Sequence, residues 1–189
     1  MFSTSDLLVD YKFSLGIQMG KCLYRTNLRG KVNLIEKSLQ PVASDLRFIS
    51  AAMKVVTDVE RIGDHAADIA EIVPHLAGVR KAGDPAVSRS IEMGRKAHKM
   101  LQDAMSAFAA EDEAAAKAVI DADDAVDYDF NTIKRMLAAE IAADPGKVDA
   151  ALDVLMVIKY LERIGDHAVN IAEWVEFLRT GRYHHEKMF

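Results

Sequence analysis

The sequence predicts an all-α protein of antiparallel helical bundles, and three observations predict it. A stretch of 15 residues occurs twice, as VERIGDHAADIAEIV over Val59–Val73 and LERIGDHAVNIAEWV over Leu161–Val175, with 11 positions identical at an offset of 102. Such internal repetition marks two related structural units. Around both copies, apolar residues recur at helical spacing in chains interrupted by only 4 Pro and 10 Gly in 189 residues. No strand-like alternation and no Gly-rich phosphate loop accompanies them.

Taken in order, residues 1–40 are the least regular part. Asp6 and Asp10 are spaced for one helix face, but Gly16, Gly20 and Gly30 interrupt any long helix. Gln40-Pro41-Val42-Ala43-Ser44-Asp45 reads as a helix start, with Pro in the first turn and an acid near the N-terminus. The first motif helix is expected over about residues 42–73, with Pro74 ending it. Ala82-Gly83-Asp84-Pro85 is the clearest linker and divides the chain into units 1–82 and 83–189. An amphipathic helix follows over Val87–Phe108, then a polar turn at residues 109–113, then an Ala-rich helix stopping at Asp144-Pro145-Gly146. The second motif helix is expected over about residues 147–178. Long helices joined by short connections favour antiparallel neighbours.

Half of the residues are hydrophobic, which suffices for a real core. The net charge of −5 gives no reason to expect nucleic acid or an anionic membrane as partner. Charge is uneven: residues 1–40 hold six Lys/Arg against three Asp/Glu. The single cysteine, Cys22, excludes an internal disulfide framework and fits a reducing cytoplasm. With no apolar run of about 18 residues, no membrane insertion is expected.

The repeated motif carries chemistry as well as packing. At about 100° per residue, Glu60, Asp64, Asp68 and Glu71 lie within about 80° of one another, opposite the apolar stripe of Val55, Val59, Ile62, Ala66, Ile69 and Val73. The second copy repeats this with Glu162, Asp166 and Glu173, with Asn170 in place of Asp68. A third pair, Asp123 and Asp127, sits in the acid-dense run Asp121–Asp129 of the preceding helix. Carboxylates four apart direct their oxygens to one point, and pairs from neighbouring helices suit iron, manganese, magnesium, zinc or a related ion. A face of carboxylates is ordinarily just solvated; its repetition residue by residue favours a metal role. Gly63 and Gly165, both mid-helix, suggest close approach of another backbone. His65 and His167 point away from the acids and are expected to make structural hydrogen bonds. Arg61 and Arg163 are expected to pair with helix carboxylates, and Trp174 and the Met residues to pack. The absence of Glu-x-x-His argues against ferritin-like di-iron chemistry.

At the duplicated ERIGDHA motif the sequence resembles the PhoU family, accessory proteins of the phosphate-specific ABC transporter. Leu39–Arg47, Val119–Asp127, Tyr160–Glu173 and Glu176–Gly181 extend the resemblance over about residues 39–182. The resemblance implies two tandem three-helix bundles and metal clusters held by the acid-x-x-x-Asp motifs. Their ligands would be Asp123, Asp127, Glu162 and Asp166, with Glu173 at the margin, and Glu60, Asp64 and Asp68 in a weaker first site. It further implies a cytoplasmic regulator, often a homodimer, with no enzymatic activity. Such a protein restrains phosphate uptake and the starvation response through the transporter's ATPase subunit and the sensor histidine kinase. A metal-dependent phosphohydrolase and a metal-binding scaffold are the alternatives on the same fold. The repeat offset matches Met1 to Asp103, and Lys21 and Arg25 to Asp123 and Asp127. The first unit is therefore expected to be incomplete at its N-terminus and to lack one carboxylate pair.

Overall fold

The computed structural model describes residues 43–81, 83–183 and 186–187. Four long helices account for most of them: α1 (Ala43–Leu76), α2 (Pro85–Ala110), α3 (Glu113–Ala143) and α4 (Val148–Thr180). A 3-10 turn, Pro145–Lys147, leads into α4, and a two-stranded hairpin pairs β1 (Arg182–Tyr183) with β2 (Glu186–Lys187). The expected all-α class is thus observed, and the sequence expected of residues 1–40 lies outside the described residues.

Local signals set the helix ends. Asp84 caps α2 by accepting from the Ala86 and Val87 N–H groups at 2.9 and 3.3 Å, with Pro85 in the first turn. Asp112 caps α3 in the same way through Ala114 and Ala115. The connection between them is only Glu111 and Asp112, shorter than the polar turn expected, because Glu111 itself adopts the left-handed conformation at φ 53°. Gly181, at φ 69°, ends α4 by donating its N–H to the Phe177 carbonyl. Pro74 does not end α1, which runs on to Leu76. A proline this near a C-terminus leaves few later turns to disrupt, and its carbonyl still accepts from the Ala77 N–H at 3.2 Å.

Helices α2, α3 and α4 each pack on the other two, and α1 lies along α4. Contacts fix the directions. Asp123 meets α4 at Gly165, whereas Phe130, further along α3, meets it earlier, at Lys159, so α3 and α4 are antiparallel. Gly94 meets Leu161 and Met100 meets Gly165, so α2 and α4 run the same way. Arg47, Asp58 and His65 of α1 meet Gly181, His167 and Tyr160 of α4, so α1 and α4 are antiparallel. The core is continuous across all four helices, with Val55, Ile62, Met93, Ile133, Ile158, Ile164, Val175 and Phe177 fully enclosed. Trp174 and Val175 join it and Leu178 packs against it, as expected. The Met residues divide: Met93, Met100 and Met105 are buried, but Met53 and Met156 are 68% and 43% exposed, because they fall outside the apolar stripes of α1 and α4. At one end, the Arg80 guanidinium bonds both Asp84 and Glu140, tying the turn after α1 to the start of α2 and the end of α3. Burial opposes that charge, but the bonds from Glu140 and Asp84 outweigh it and raise the Arg80 pKa.

The two motif helices meet each other through their histidines. His65 and His167 stack with ring centroids 5.7 Å apart. Each also faces the residue seven before the other: His167 Nδ1 lies 2.9 Å from Asp58 Oδ1, and His65 stacks on Tyr160 at 5.5 Å. Asn170 Nδ2 donates to the same Asp58 oxygen at 3.1 Å. His167 makes the structural hydrogen bond expected of it, whereas His65 holds the interface by stacking, its Nδ1 3.8 Å from Asp68. Asp58 is 9% exposed, so removing its carboxylate strands two donors in a largely buried interface. Asp58→Ala is expected to cost about 1–3 kcal/mol in urea unfolding, and Asp58→Asn, which keeps an acceptor oxygen, less.

Candidate metal centre

The acid-dense run of α3 does not act as one block, because a helix turns its residues to different neighbours. Asp129 faces α2 and is buried there between Arg89 Nη2 at 2.9 Å and Lys96 Nζ at 2.6 Å. Asp123 faces α4, one turn before Val126, which is fully buried. Its approach depends on Gly165. A Cβ on Gly165 would stand 3.2 Å from Asp123 Oδ1 and 3.5 Å from Val126 Cγ1, tighter than the carboxylate tolerates without moving. The close approach expected at this glycine is therefore real, but side chains make it, not another backbone. At Gly63 nothing lies within 4 Å, so the same residue in the first copy has no such neighbour among the described residues.

The Asp123 carboxyl is pushed up to about 6 by burial and by the charges of Asp127, Asp166, Asp124 and Glu162. Burial, Glu162 and Asp127 also raise Asp166, while Lys159 and His167 pull the other way. Glu162 is hydrogen-bonded to the Lys159 ammonium one turn earlier on α4. Four of the sequence-predicted residues, Asp123, Asp127, Glu162 and Asp166, are thus brought to one seam between α3 and α4. Among the described residues, no three His, Cys, Asp or Glu side chains already converge as a closed set of ligands. The donor set nonetheless fits a hard cation: its donors are all carboxylate oxygens, and their mutual repulsion is what a cation relieves.

The other predicted residues stand elsewhere. Glu173 is hydrogen-bonded to Tyr183, whose hydroxyl is pushed up to about 12 by burial and by Glu173 and Asp58. Seven residues beyond Asp166, it is about 10 Å further along the helix. Asn170 turns to α1 through Asp58. In the first copy Glu60, Asp64 and Glu71 are exposed. Asp64 lies 3.7 Å from Arg61, the pairing expected of that arginine, and Asp68 lies 3.8 Å from His65. The repeat positions that would face them, Lys21 and Arg25, lie outside the described residues. Sequence reasoning overlooked Lys159, Asp58 and Tyr183. The first was legible as a cation one turn before Glu162; the others act across elements distant in sequence.

The raised Asp123 pKa makes stability depend on pH. A carboxyl raised on folding holds its proton more tightly in the folded chain, so its contribution is present at low pH and is lost as pH rises through about 6. In chelator, Asp123→Asn is expected to melt higher than the wild type at pH about 7.5 and to lose that advantage as pH falls toward about 4. Melting curves for the pair would check it; a difference that does not change with pH would show that the carboxyl is not crowded.

Residues 23–73 and 91–175 match the PhoU domain family. The chain is 37% identical over 151 residues to a phosphate-specific transport system accessory protein PhoU homolog of Clostridium acetobutylicum, covering 80% of this chain and 68% of that one. It is 41% identical over 145 residues to the same-named homolog of Caulobacter vibrioides, covering 75% of this chain and 61% of that one. For the Pseudomonas aeruginosa homolog the figures are 40% over 144 residues, 75% of this chain and 58% of that one, so this chain spans only part of its relatives' length. The crystal structure of PhoU from Pseudomonas aeruginosa superimposes with a TM-score of 0.74 at 33% identity, covering 93% of this chain and 81% of that one. The phosphate transport system regulatory protein PhoU from Streptococcus pneumoniae gives 0.71 at 25% identity, covering 94% and 80%. In sequence and in fold, this chain belongs to the PhoU family.

Proposed function

We propose that this chain is a cytoplasmic regulator of phosphate uptake and of the phosphate-starvation response. It acts by contact with the ATPase subunit of a phosphate ABC transporter and with a sensor histidine kinase, as a homodimer and without turnover. Its relatives are named as accessory and regulatory proteins of phosphate transport. Among the described residues, no helix is long and apolar enough to cross a membrane. The observation that carries the reading is the seam of Asp123, Asp127, Glu162 and Asp166. It lies along two helices at the molecular surface, where a bound cation braces α3 against α4 and stands open to a partner's surface. Asp123, Asp127, Glu162 and Asp166 would hold iron, manganese, magnesium or zinc, and the ion would supply neutralisation of the crowded carboxylates.

After purification with iron or manganese, Asp166→Ala is expected to lower bound metal more than Asp64→Ala, because only the former belongs to the seam. Elemental analysis of the two variants would check this; equal losses, or no metal in the wild type, would count against it. Hydrolysis of a generic phosphate ester with added manganese would favour the phosphohydrolase alternative.

At the level of the cell, deleting the gene is expected to leave the starvation response on in phosphate-rich medium. Reporter activity from a starvation promoter would show it. Normal repression in a deletion strain without a paralogue would overturn the regulatory reading.

A further inference from the structure

We propose that Lys159 is a built-in counter-cation of the acidic seam, which competes with a metal ion for Glu162. The inference rests on the metal reading above and adds a residue that sets the affinity.

Lys159 stands one turn before Glu162, and its ammonium bonds Glu162 Oε2. The Glu162 side chain is 15% exposed and that of Lys159 39%, so the pair stands at a half-buried edge of the cluster. Its charge also reaches Asp166, whose pKa it pulls down against the push of Glu162 and Asp127. The ammonium lies 5.3 Å from the centroid of the Phe130 ring of α3, which holds it against the seam by attraction to the ring face. Lys134 approaches the same ring at 5.1 Å. The structure therefore places one positive charge of its own on Glu162 and within electrostatic reach of Asp166, at one end of the seam. An incoming divalent cation takes the Glu162 oxygen only by displacing that ammonium, or by tolerating its repulsion at short range.

Among the described residues, the first copy has no such cation at the matching position. Lys159 lies just outside the repeated 15 residues, and the position 102 earlier is Thr57. The Thr57 hydroxyl donates to the Met53 carbonyl of its own helix at 3.2 Å and brings no charge. The motif is thus shared, while at this position only the second copy carries a cation. Two consequences follow from one charge. Without metal, Lys159 relieves repulsion in the seam and stabilises the fold. With metal, it weakens binding, so the site empties at a higher free metal concentration than its carboxylates would otherwise set.

The test uses the full chain stripped of metal and titrated calorimetrically with Mn²⁺. Lys159→Met keeps the apolar stem and removes the charge, and Lys159→Gln is a second neutral variant should methionine prevent folding. The neutral variant is expected to bind Mn²⁺ about fivefold more tightly than the wild type, and to melt at a lower temperature in chelator. Lys159→Arg, which keeps the charge, is expected to restore the wild-type values for both. Equal or weaker Mn²⁺ binding by the neutral variant would overturn the role of Lys159 and leave the metal site standing. No Mn²⁺ binding by wild type or variant would overturn the metal reading and the competition with it. An unchanged melting temperature in chelator would show that the ammonium does not relieve the seam.

Discussion

Helix α4 is covered by three other helices, and this constraint governs where every polar group of the second motif goes. Its surface is taken up by α1, α2 and α3, so Ile158, Ile164, Ile171, Val175 and Phe177 are fully enclosed. Only the seams between neighbours remain for charge. Glu162 and Asp166 fall in the seam with α3, while His167 and Asn170 fall in the seam with α1. The helix is amphipathic in sectors, each sector answering to a different neighbour. That is why one short motif serves both as a packing surface and as a source of clustered carboxylates.

The repeat is used twice, to different ends. At the shared interface the two copies meet about a local pseudo-two-fold, histidine on histidine, with each ring facing the residue seven before the other's. The partners are unlike, Asp58 for His167 and Tyr160 for His65, so one contact is a hydrogen bond to a buried carboxylate and the other an aromatic stack. Burial and the nearby charges of His167 and Arg163 lower the His65 pKa, against a smaller opposing pull from Asp68. A neutral ring suits the stack. The glycines diverge in the same manner: Gly165 admits the Asp123 carboxylate, and Gly63 has no described neighbour to admit.

Negative charge at the α3–α4 seam is held there against its own repulsion. Apolar packing around Val126 and Ile164 commits the two helices to approach, and the carboxylates beside these residues have no freedom to separate. The cost appears as raised pKa values at Asp123 and Asp166, and at Asp166 it is partly offset by Lys159. By contrast, Asp129, two residues beyond Asp127, is neutralised outright by Arg89 and Lys96. Acids of one run therefore range from firmly paired to crowded among like charges, according to the helix each one faces.

Much of this was legible in the sequence. The all-α class, the order and approximate bounds of the described helices, the apolar faces and the doubled acidic motif are local in origin. They depend on 3.6-residue periodicity and on side chains reaching their own backbone, which the order of residues determines directly. The pairing of Asp123 and Asp127 with the second motif was also readable, because the connection between α3 and α4 is too short to permit anything but an antiparallel return. What the tertiary structure decided is how each polar residue is shared out among neighbours. It sent Asp129 to α2, Asn170 to Asp58 and Glu173 to Tyr183, residues that spacing alone left beside or within the acidic face. A helical wheel gives the angle of a side chain but not the identity or charge of what lies opposite. Those depend on crossing angles and on gaps such as the one at Gly165, and they arise only when all four helices are packed together.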